Sequence, residues 1–181
     1  MTCIVALRDG DAVVMGADSA GVGGMCIRVR RDPKIYRVGA MLIGFTTSFR
    51  MGQLLGYSMT LPDHHEDVSV ERYMATAFVD AVRACLKAGG FASKSNETEA
   101  GGQFLVAYRK RIFEIASDYQ IEEDECGYAS VGCGFDLATG SLHSTAALKV
   151  ADPRQRVRMA LEAAATFSVG VRGPFLIETL E

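Results

Sequence analysis

Two stretches near the start of the chain decide its fold: Thr2-Cys-Ile-Val-Ala-Leu-Arg8 and Ala12-Val-Val-Met-Gly-Ala17. Asp9-Gly10 lies between them, and an Asp-Gly loop is a favoured hairpin turn because its twist matches that of the strands. Both stretches are almost continuously apolar, which is typical of strands in a sheet that is covered on both faces. The sequence therefore predicts a buried N-terminal hairpin.

This hairpin also predicts the surroundings of the second residue. With an Asp-Gly loop, Arg8 pairs with Asp11, and pairing further along brings Thr2 opposite Ala17. Asp18 is the next residue on the second strand. The first residues of most proteins are loose. A threonine held in a sheet beside a carboxylate indicates either ordinary strand pairing or a chemical role.

Later segments supply helices and further strands. Apolar residues at helical spacing predict a long helix over Val68 to Gly89 and a shorter one over Phe49 to Met59. Asp152-Pro153 is an N-cap followed by proline at the first helical position. The further strand candidates are Gln103–Tyr108, Arg111–Ala116, Tyr128–Val131, Ser168–Val171 and Phe175–Ile177, with a polar loop over Ala92–Gly101. Strands and helices occur in pairs, which favours packed sheets flanked by helices over βαβ units.

Composition and charge limit the classes of function. The chain has 181 residues, 49% apolar and 23% charged, so we expect a single globular domain over residues 1–181. Its net charge of -3 and its dispersed Lys and Arg give no reason to expect nucleic acid or a membrane as a partner. Five cysteines without a Cys-x-x-Cys pair favour a reducing compartment, so we expect a cytoplasmic protein.

Thr2 has the groups needed for nucleophilic chemistry once Met1 is removed. Threonine is small enough for Met1 to be removed before it, and the exposed residue then has both a hydroxyl nucleophile and an α-amine. That amine has an unperturbed pKa of roughly 7.7–8, so it can act as the general base without a histidine. A neighbouring ammonium lowers the pKa of the amine further.

Four segments carry a resemblance to a known family. They are Thr2-Cys-Ile-Val-Ala-Leu-Arg8, Gly16-Ala-Asp18-Ser19, Lys34-Ile-Tyr36 and Leu42-Ile-Gly-Phe45. This order resembles the start of proteasome β-subunits and of HslV-like peptidases, which are N-terminal-nucleophile hydrolases. The resemblance implies that Thr2, Asp18 and Lys34 are the catalytic residues, because they reproduce the spacing of that family's site. Later segments, Ser130-Val-Gly-Cys-Gly134 and Ala160 through Ile177, are similar to the family as well.

The resemblance implies an architecture and partners. The expected fold is α+β, a four-layer αββα sandwich of two mostly antiparallel sheets flanked by helices. The expected assembly is a homo-oligomeric ring that encloses the active sites and takes peptide or unfolded-protein substrates. An ATP-dependent unfoldase partner is left open. We expect no cofactor and no metal.

The supporting positions depart from the family pattern. Cys133 stands where the family has a serine, and sulfur is the weaker hydrogen-bond partner. Ala165 or Thr166 replaces a supporting aspartate, whereas Ser168 keeps a later hydroxyl. The glycine of the oxyanion hole aligns with Thr47, whose backbone N–H can still donate.

Other candidate sites are weaker. Gly21, Val22 and the following glycines lack the Gly-Lys-Ser/Thr of a phosphate loop. They follow Asp18 where the family's substrate-lining loop runs, so we expect a backbone groove for an extended peptide. Cys3 points away from Thr2 on the strand and is expected in the core. His64-His65-Glu66 lacks a partner at ligand spacing and is expected to be a surface loop.

Three functions remain in view at this point. The preferred one is a threonine-type peptidase subunit. The alternatives are a catalytically silent ring subunit and an amidase for small amides. Met51, Leu54, Leu55 and Tyr57 on the short helix exceed what one sheet face needs, and they predict a subunit interface.

Overall fold

Four layers, in the order helix, sheet, sheet, helix, make up the computed structural model, which describes residues 1–95 and 98–181. In chain order the elements are β1 (Cys3–Asp9), β2 (Ala12–Ala17), β3 (Ala20–Gly23), β4 (Cys26–Val29), β5 (Ile35–Val38), β6 (Met41–Phe45), α1 (Phe49–Tyr57), α2 (Val70–Tyr73), a π-helical segment (Met74–Phe78), α3 (Val79–Ala88), β7 (Ser93–Ser95), β8 (Thr98–Ala100), β9 (Phe104–Tyr108), β10 (Arg111–Ile115), β11 (Ile121–Glu122), β12 (Tyr128–Gly132), α4 (Phe135–Ala147), α5 (Pro153–Phe167) and β13 (Leu176–Leu180).

Two antiparallel sheets form the middle layers. One has the strand order β12-β1-β2-β13, and the other has the order β11-β10-β9-β6-β5. Side chains such as Ile4, Met15 and Leu105 fill the space between the sheets. The helices α4 and α5 cover the first sheet, and α1 with the α2–α3 helix covers the second. The predicted αββα sandwich is confirmed.

The N-terminal hairpin forms, but its predicted register is wrong. Asp9 pairs with Ala12, so the loop is Gly10-Asp11 rather than Asp9-Gly10. Gly10 has a φ of 57° at the first loop position, where a glycine followed by another residue makes a type II′ turn. The shift puts Asp18 beside Cys3, because the Asp18 N–H donates to the Cys3 carbonyl at 3.3 Å. Thr2 therefore does not pair with Ala17.

The long predicted helix is present with one irregularity. The segment Met74–Phe78 is π-helical and joins α2 to α3 without a break. A π turn inserts an extra residue, which rotates the later side chains relative to a regular helix. Val79 is consequently buried, although the regular spacing leaves it off the apolar face. Asp152 caps α5 as predicted, since its Oδ1 accepts the Arg154 N–H at 2.9 Å.

Three smaller predictions need correction. Residues 168–171 form a turn rather than a strand, because Ser168 is the C-cap of α5. The predicted loop over Ala92–Gly101 contains the short hairpin β7–β8, and its residues 96 and 97 lie outside the described residues. Met51, Leu54 and Leu55 are buried in the chain's own core, so α1 offers only Tyr57 as exposed apolar surface. In the described ranges no helix is both long and apolar enough to cross a bilayer.

Candidate active site

A buried carboxylate organises the site. Asp18 follows β2, and its Oδ1 accepts hydrogen bonds from the Cys3 N–H at 2.9 Å and from Lys34 Nζ at 2.8 Å. Its Oδ2 accepts the Ala20 N–H at 2.8 Å and the Arg172 N–H at 3.3 Å. Four donors thus surround a side chain with no exposed surface, which satisfies a charge that burial would otherwise make costly. The carboxylate ties the start of β1 to the segment that precedes β5.

Lys34 is the other member of this pair and is equally buried. It comes directly before β5, and its carbonyl accepts the Phe45 N–H of β6 at 3.0 Å. Burial lowers the pKa of Lys34 below 10.5, and the neighbouring Asp18 offsets part of this shift by favouring the charged form. Lys34 Nζ also lies 3.5 Å from the Met1 carbonyl oxygen. The cation is therefore next to the peptide bond that precedes Thr2.

Thr2 directly precedes β1 and is 5% exposed. Its hydroxyl donates to the Met1 carbonyl at 2.6 Å. The backbone of Gly132 packs against it so tightly that a Cβ there would lie 2.2 Å from the Thr2 carbonyl oxygen. Gly132 also has a φ of 98°, so this position requires glycine for two reasons. The predicted trio of Thr2, Asp18 and Lys34 is thus brought together.

Thr47 is held in an unusual turn beside Thr2. Its φ is 59°, a conformation that is rare for a β-branched residue, and the Ser48 N–H donates to the Thr46 carbonyl at 2.6 Å across it. The Gln103 N–H donates to Thr47 Oγ1 at 3.2 Å, and the Gln103 carbonyl accepts from Thr46 Oγ1 at 2.7 Å. Within residues 1–95 and 98–181 the Thr47 N–H has no acceptor. It is available to a bound group.

Cys133 and Ser168 come together near Met1. Ser168 Oγ donates to Cys133 Sγ at 3.6 Å. A Cβ on Gly170 would lie 2.4 Å from Met1 Cβ and 2.8 Å from Cys133 Sγ, so these groups form one cluster around Met1. Thr166 does not join the cluster, because its hydroxyl donates to the Glu162 carbonyl within α5.

Cys3 is a core residue, as predicted. It has no exposed surface, and burial together with Asp18 raises the pKa of its thiol to about 12. A thiol with this pKa is protonated at neutral pH and is a poor nucleophile. Cys3 is therefore unsuited to act as the nucleophile of this site.

His64 has a structural role. Its ring stacks on Tyr73, its Nε2 donates to the Val68 carbonyl at 2.8 Å and its Nδ1 lies 2.8 Å from the Tyr108 hydroxyl. Both ring nitrogens are thus occupied. Among the described residues, no three His, Cys, Asp or Glu side chains converge as a metal site would require.

Two adjoining spaces reach the site. A cavity of about 70 Å³ is lined by Met1, Thr2, Val22, Phe45, Thr46, Thr47, Ser48 and Phe49. A groove of about 760 Å³ shares Val22 and Phe49 with this cavity and adds Gly21. Of the two predicted groove residues, Val22 therefore lines the same cavity as Thr2, and Gly21 lines the adjoining groove.

Sequence reasoning missed several neighbours of the site. Arg172 N–H and Gln103 reach it from distant parts of the chain, and no local pattern identifies them. The helical pattern over Phe49 to Met59 includes Phe49 but does not indicate that it lies at the site. Its ring centroid lies 5.7 Å from Lys34 Nζ.

Several solved structures align with nearly the whole of this chain. BPH of Thiobacillus denitrificans, in complex with epoxomicin, has a TM-score of 0.83 and 21% identity over 99% of this chain and 98% of its own. HslV of Trypanosoma brucei has a TM-score of 0.72 and 18% identity over 99% of both chains. Anbu of Yersinia bercovieri, an ancestral β-subunit, has a TM-score of 0.68 and 14% identity over 98% of this chain and 81% of its own.

Comparison by sequence found no match among protein-family models or among curated proteins. The structural similarity covers both sheets and both helical layers, since each alignment spans 98% or more of the chain. The chain has the fold of the HslV and Anbu proteins, the proteasome-type N-terminal-nucleophile hydrolase fold.

Proposed function

We propose that this chain is a threonine-type peptidase whose nucleophile is the Thr2 hydroxyl after removal of Met1. The observation that carries the proposal is the buried Lys34–Asp18 pair beside the Met1–Thr2 peptide bond. A buried ion pair is seldom a net gain in stability over apolar side chains. Its position next to Thr2 therefore favours a chemical role over a structural one.

The new amine of Thr2 is the proposed general base. Lys34 Nζ lies 3.5 Å from the carbonyl oxygen that Met1 removal takes away, so the exposed amine has an ammonium as its neighbour. Like-charge repulsion lowers the pKa of the amine and keeps more of it neutral near pH 7. Asp18 holds Lys34 at 2.8 Å and is a positioning residue.

The reaction follows from these groups. Thr2 Oγ attacks the substrate carbonyl carbon while its proton passes to the Thr2 amine, which gives a tetrahedral oxyanion. The Thr47 N–H stabilises that oxyanion. The C–N bond then breaks, the amine returns the proton to the leaving nitrogen, and an ester to Thr2 remains. Water hydrolyses this ester with the same amine as base, which regenerates Thr2 and releases the acid.

The shape of the site supports a peptide as substrate. The cavity at Thr2 holds only a small group, but the groove that continues from Val22 and Phe49 is about ten times larger. A small amide would need only the cavity. An extended peptide uses both spaces and can follow the backbone of β3. Cys133 and Ser168 are proposed to support the Thr2 amine from the opposite side.

Substrate hydrolysis by purified protein tests the proposal. A fluorogenic peptide should be cleaved by protein that lacks Met1, and intact mass reports that removal. Thr2→Ala should lower kcat by roughly a thousandfold or more, as the loss of a nucleophile does. Thr2→Ser keeps a hydroxyl and is the matched control that retains measurable activity. Cleavage by Thr2→Ala at the wild-type rate would rule out Thr2 as the nucleophile.

We also propose that the peptidase is a homo-oligomer that sequesters Thr2 in a chamber. Exposed apolar side chains on the β3–β4 hairpin that do not line the groove, Met25 and Ile27, support an interface there instead of on α1. Identical subunits that meet head to tail through such a surface form a closed ring when the rotation between them closes. Light scattering at micromolar concentration should give a mass well above that of a dimer. A stable 19.5 kDa monomer would contradict the chamber and leave the active-site proposal in place.

A further inference from the structure

The groove beside the Thr2 cavity is lined by basic side chains. Three arginines and one aspartate line it: Arg28, Arg30, Arg31 and Asp32. The chain as a whole has a net charge of -3, so this positive lining is a local departure from the charge of the molecule. Because Val22 and Phe49 line both spaces, a peptide that reacts at Thr2 extends into this groove.

Arg30 is fixed in place and its charge is paired. Its Nε donates to Asp32 Oδ2 at 2.8 Å, and its guanidinium carbon lies 3.7 Å above the centre of the Phe49 ring. A Cβ on Gly21 would lie 2.5 Å from Arg30 Cδ, so the absence of a side chain on β3 lets Arg30 pack there. Arg30 lines the groove, and Asp32 cancels its charge.

Arg28 and Arg31 supply the charge that remains. Both side chains are exposed, and in the described part of the chain neither forms an ion pair. Arg28 lines the groove together with Cys26 and Val29 of the same strand, β4. Guanidinium groups match the geometry of carboxylates and bind them through paired hydrogen bonds.

We propose that this groove selects acidic side chains in the substrate, so that Arg28 and Arg31 make the enzyme a peptidase for acidic sequences. The inference rests on the proposed function and names its substrate class. Each exposed charge pair is expected to change the specificity ratio about two- to fivefold. The preference should weaken with salt, because the Debye length falls from roughly 10 Å at 0.1 M to about 3 Å at 1 M.

Matched peptides test this selectivity with and without catalysis. Fluorogenic peptides with Glu, Gln or Lys at each of the three residues before the scissile bond are compared by kcat/KM. The same peptides, labelled with fluorescein, are compared for binding to Thr2→Ala by anisotropy. We expect the order Glu, Gln, Lys in both assays. Arg28→Glu and Arg31→Glu should each reduce the Glu-to-Lys ratio, and Asp32→Asn should increase it because it frees the charge of Arg30.

Arg158→Glu is the control, since Arg158 is an exposed arginine on α5, outside the groove, and this variant makes the same change in net charge. An unchanged ratio in this control, with reduced ratios in the groove variants, supports the inference. Equal binding and equal cleavage of all three peptides would overturn the inference and leave the hydrolase intact. Preferential binding of the Glu peptide without any cleavage by wild type would support the groove and overturn the proposed function.

Discussion

Two ion pairs lie near the Phe49 ring, and they differ in their exposure to solvent. The ring centre of Phe49 is 5.7 Å from Lys34 Nζ and 3.7 Å from the guanidinium carbon of Arg30. The Lys34–Asp18 pair has no exposed side-chain surface, whereas the side chains of Arg30 and Asp32 are 36% and 48% exposed. Burial decides what each pair can do.

A charge without water around it acts strongly on its neighbours. In the low dielectric of the interior the same separation gives a larger interaction than at the surface, so Lys34 can shift the pKa of an amine beside it. Arg30 is screened by solvent and its charge is paired with Asp32, so it acts only weakly on its surroundings. The comparison supports a role in reactivity for the buried pair, and it leaves the proposed selectivity to the unpaired Arg28 and Arg31 of the groove.

The largest expected effect is on stability. Asp18→Ala should lower the free energy of unfolding by roughly 3–5 kcal/mol, because it leaves a buried ammonium without its partner. Asp32→Ala, the matched change in the exposed pair, should cost about 1 kcal/mol or less. Urea denaturation of both variants measures the difference. An equal loss in the free energy of unfolding for the two variants would contradict the difference drawn between the buried and the exposed pair.

The next effect is on the pH dependence of activity. Lys34→Ala removes the positive charge beside the Thr2 amine, so the pKa of that amine should rise by roughly one unit or more. The acidic limb of the kcat/KM profile reports deprotonation of the base and should move to higher pH. Arg30→Ala serves as the comparison, and the position of its acidic limb should match wild type. A limb that stays in place in Lys34→Ala would show that Lys34 does not tune the amine.

The smallest effect is on stability at alkaline pH. Burial lowers the pKa of Lys34 in the folded state below 10.5, so the folded chain releases this proton before the unfolded chain does. Between the folded pKa and 10.5 the unfolded state binds more protons, and the contribution of Lys34 to stability rises with pH. The difference in the free energy of unfolding between wild type and Lys34→Met, measured against pH, gives that slope. The contribution of the buried tyrosines is common to both proteins and cancels. A difference that falls with rising pH in this range would contradict the direction of the shift.

The sequence predicts the fold and the buried pair better than it predicts their surroundings. The spacing of Thr2, Asp18 and Lys34 can be compared with that of the family along the sequence alone. The structure brings these three residues together. The hairpin register was missed because both faces of β1 and β2 are buried, so no polar alternation fixes which residues pair. The neighbours Arg172 and Gln103 reach the site only through tertiary packing.

Thr47 illustrates the remaining difficulty. Its position was predicted from the alignment with a glycine, but its left-handed backbone is a property of the folded turn. The hydrogen bond from the Gln103 N–H to the Thr47 hydroxyl stabilises this backbone conformation. A glycine would adopt the same conformation without such a contact. No pattern near residue 47 indicates a partner 56 residues away.

The most direct test of the central claim is covalent labelling of Thr2. A relative with this fold is solved in complex with epoxomicin, an epoxyketone, and the same compound is the probe here. Intact mass and peptide mapping follow wild type, Thr2→Ala and Lys34→Ala after incubation. We expect wild type without Met1 to gain one inhibitor on Thr2, Lys34→Ala to react more slowly, and Thr2→Ala to gain none. An adduct on Thr2→Ala, or one that maps to Cys3 or Cys133, would contradict the account.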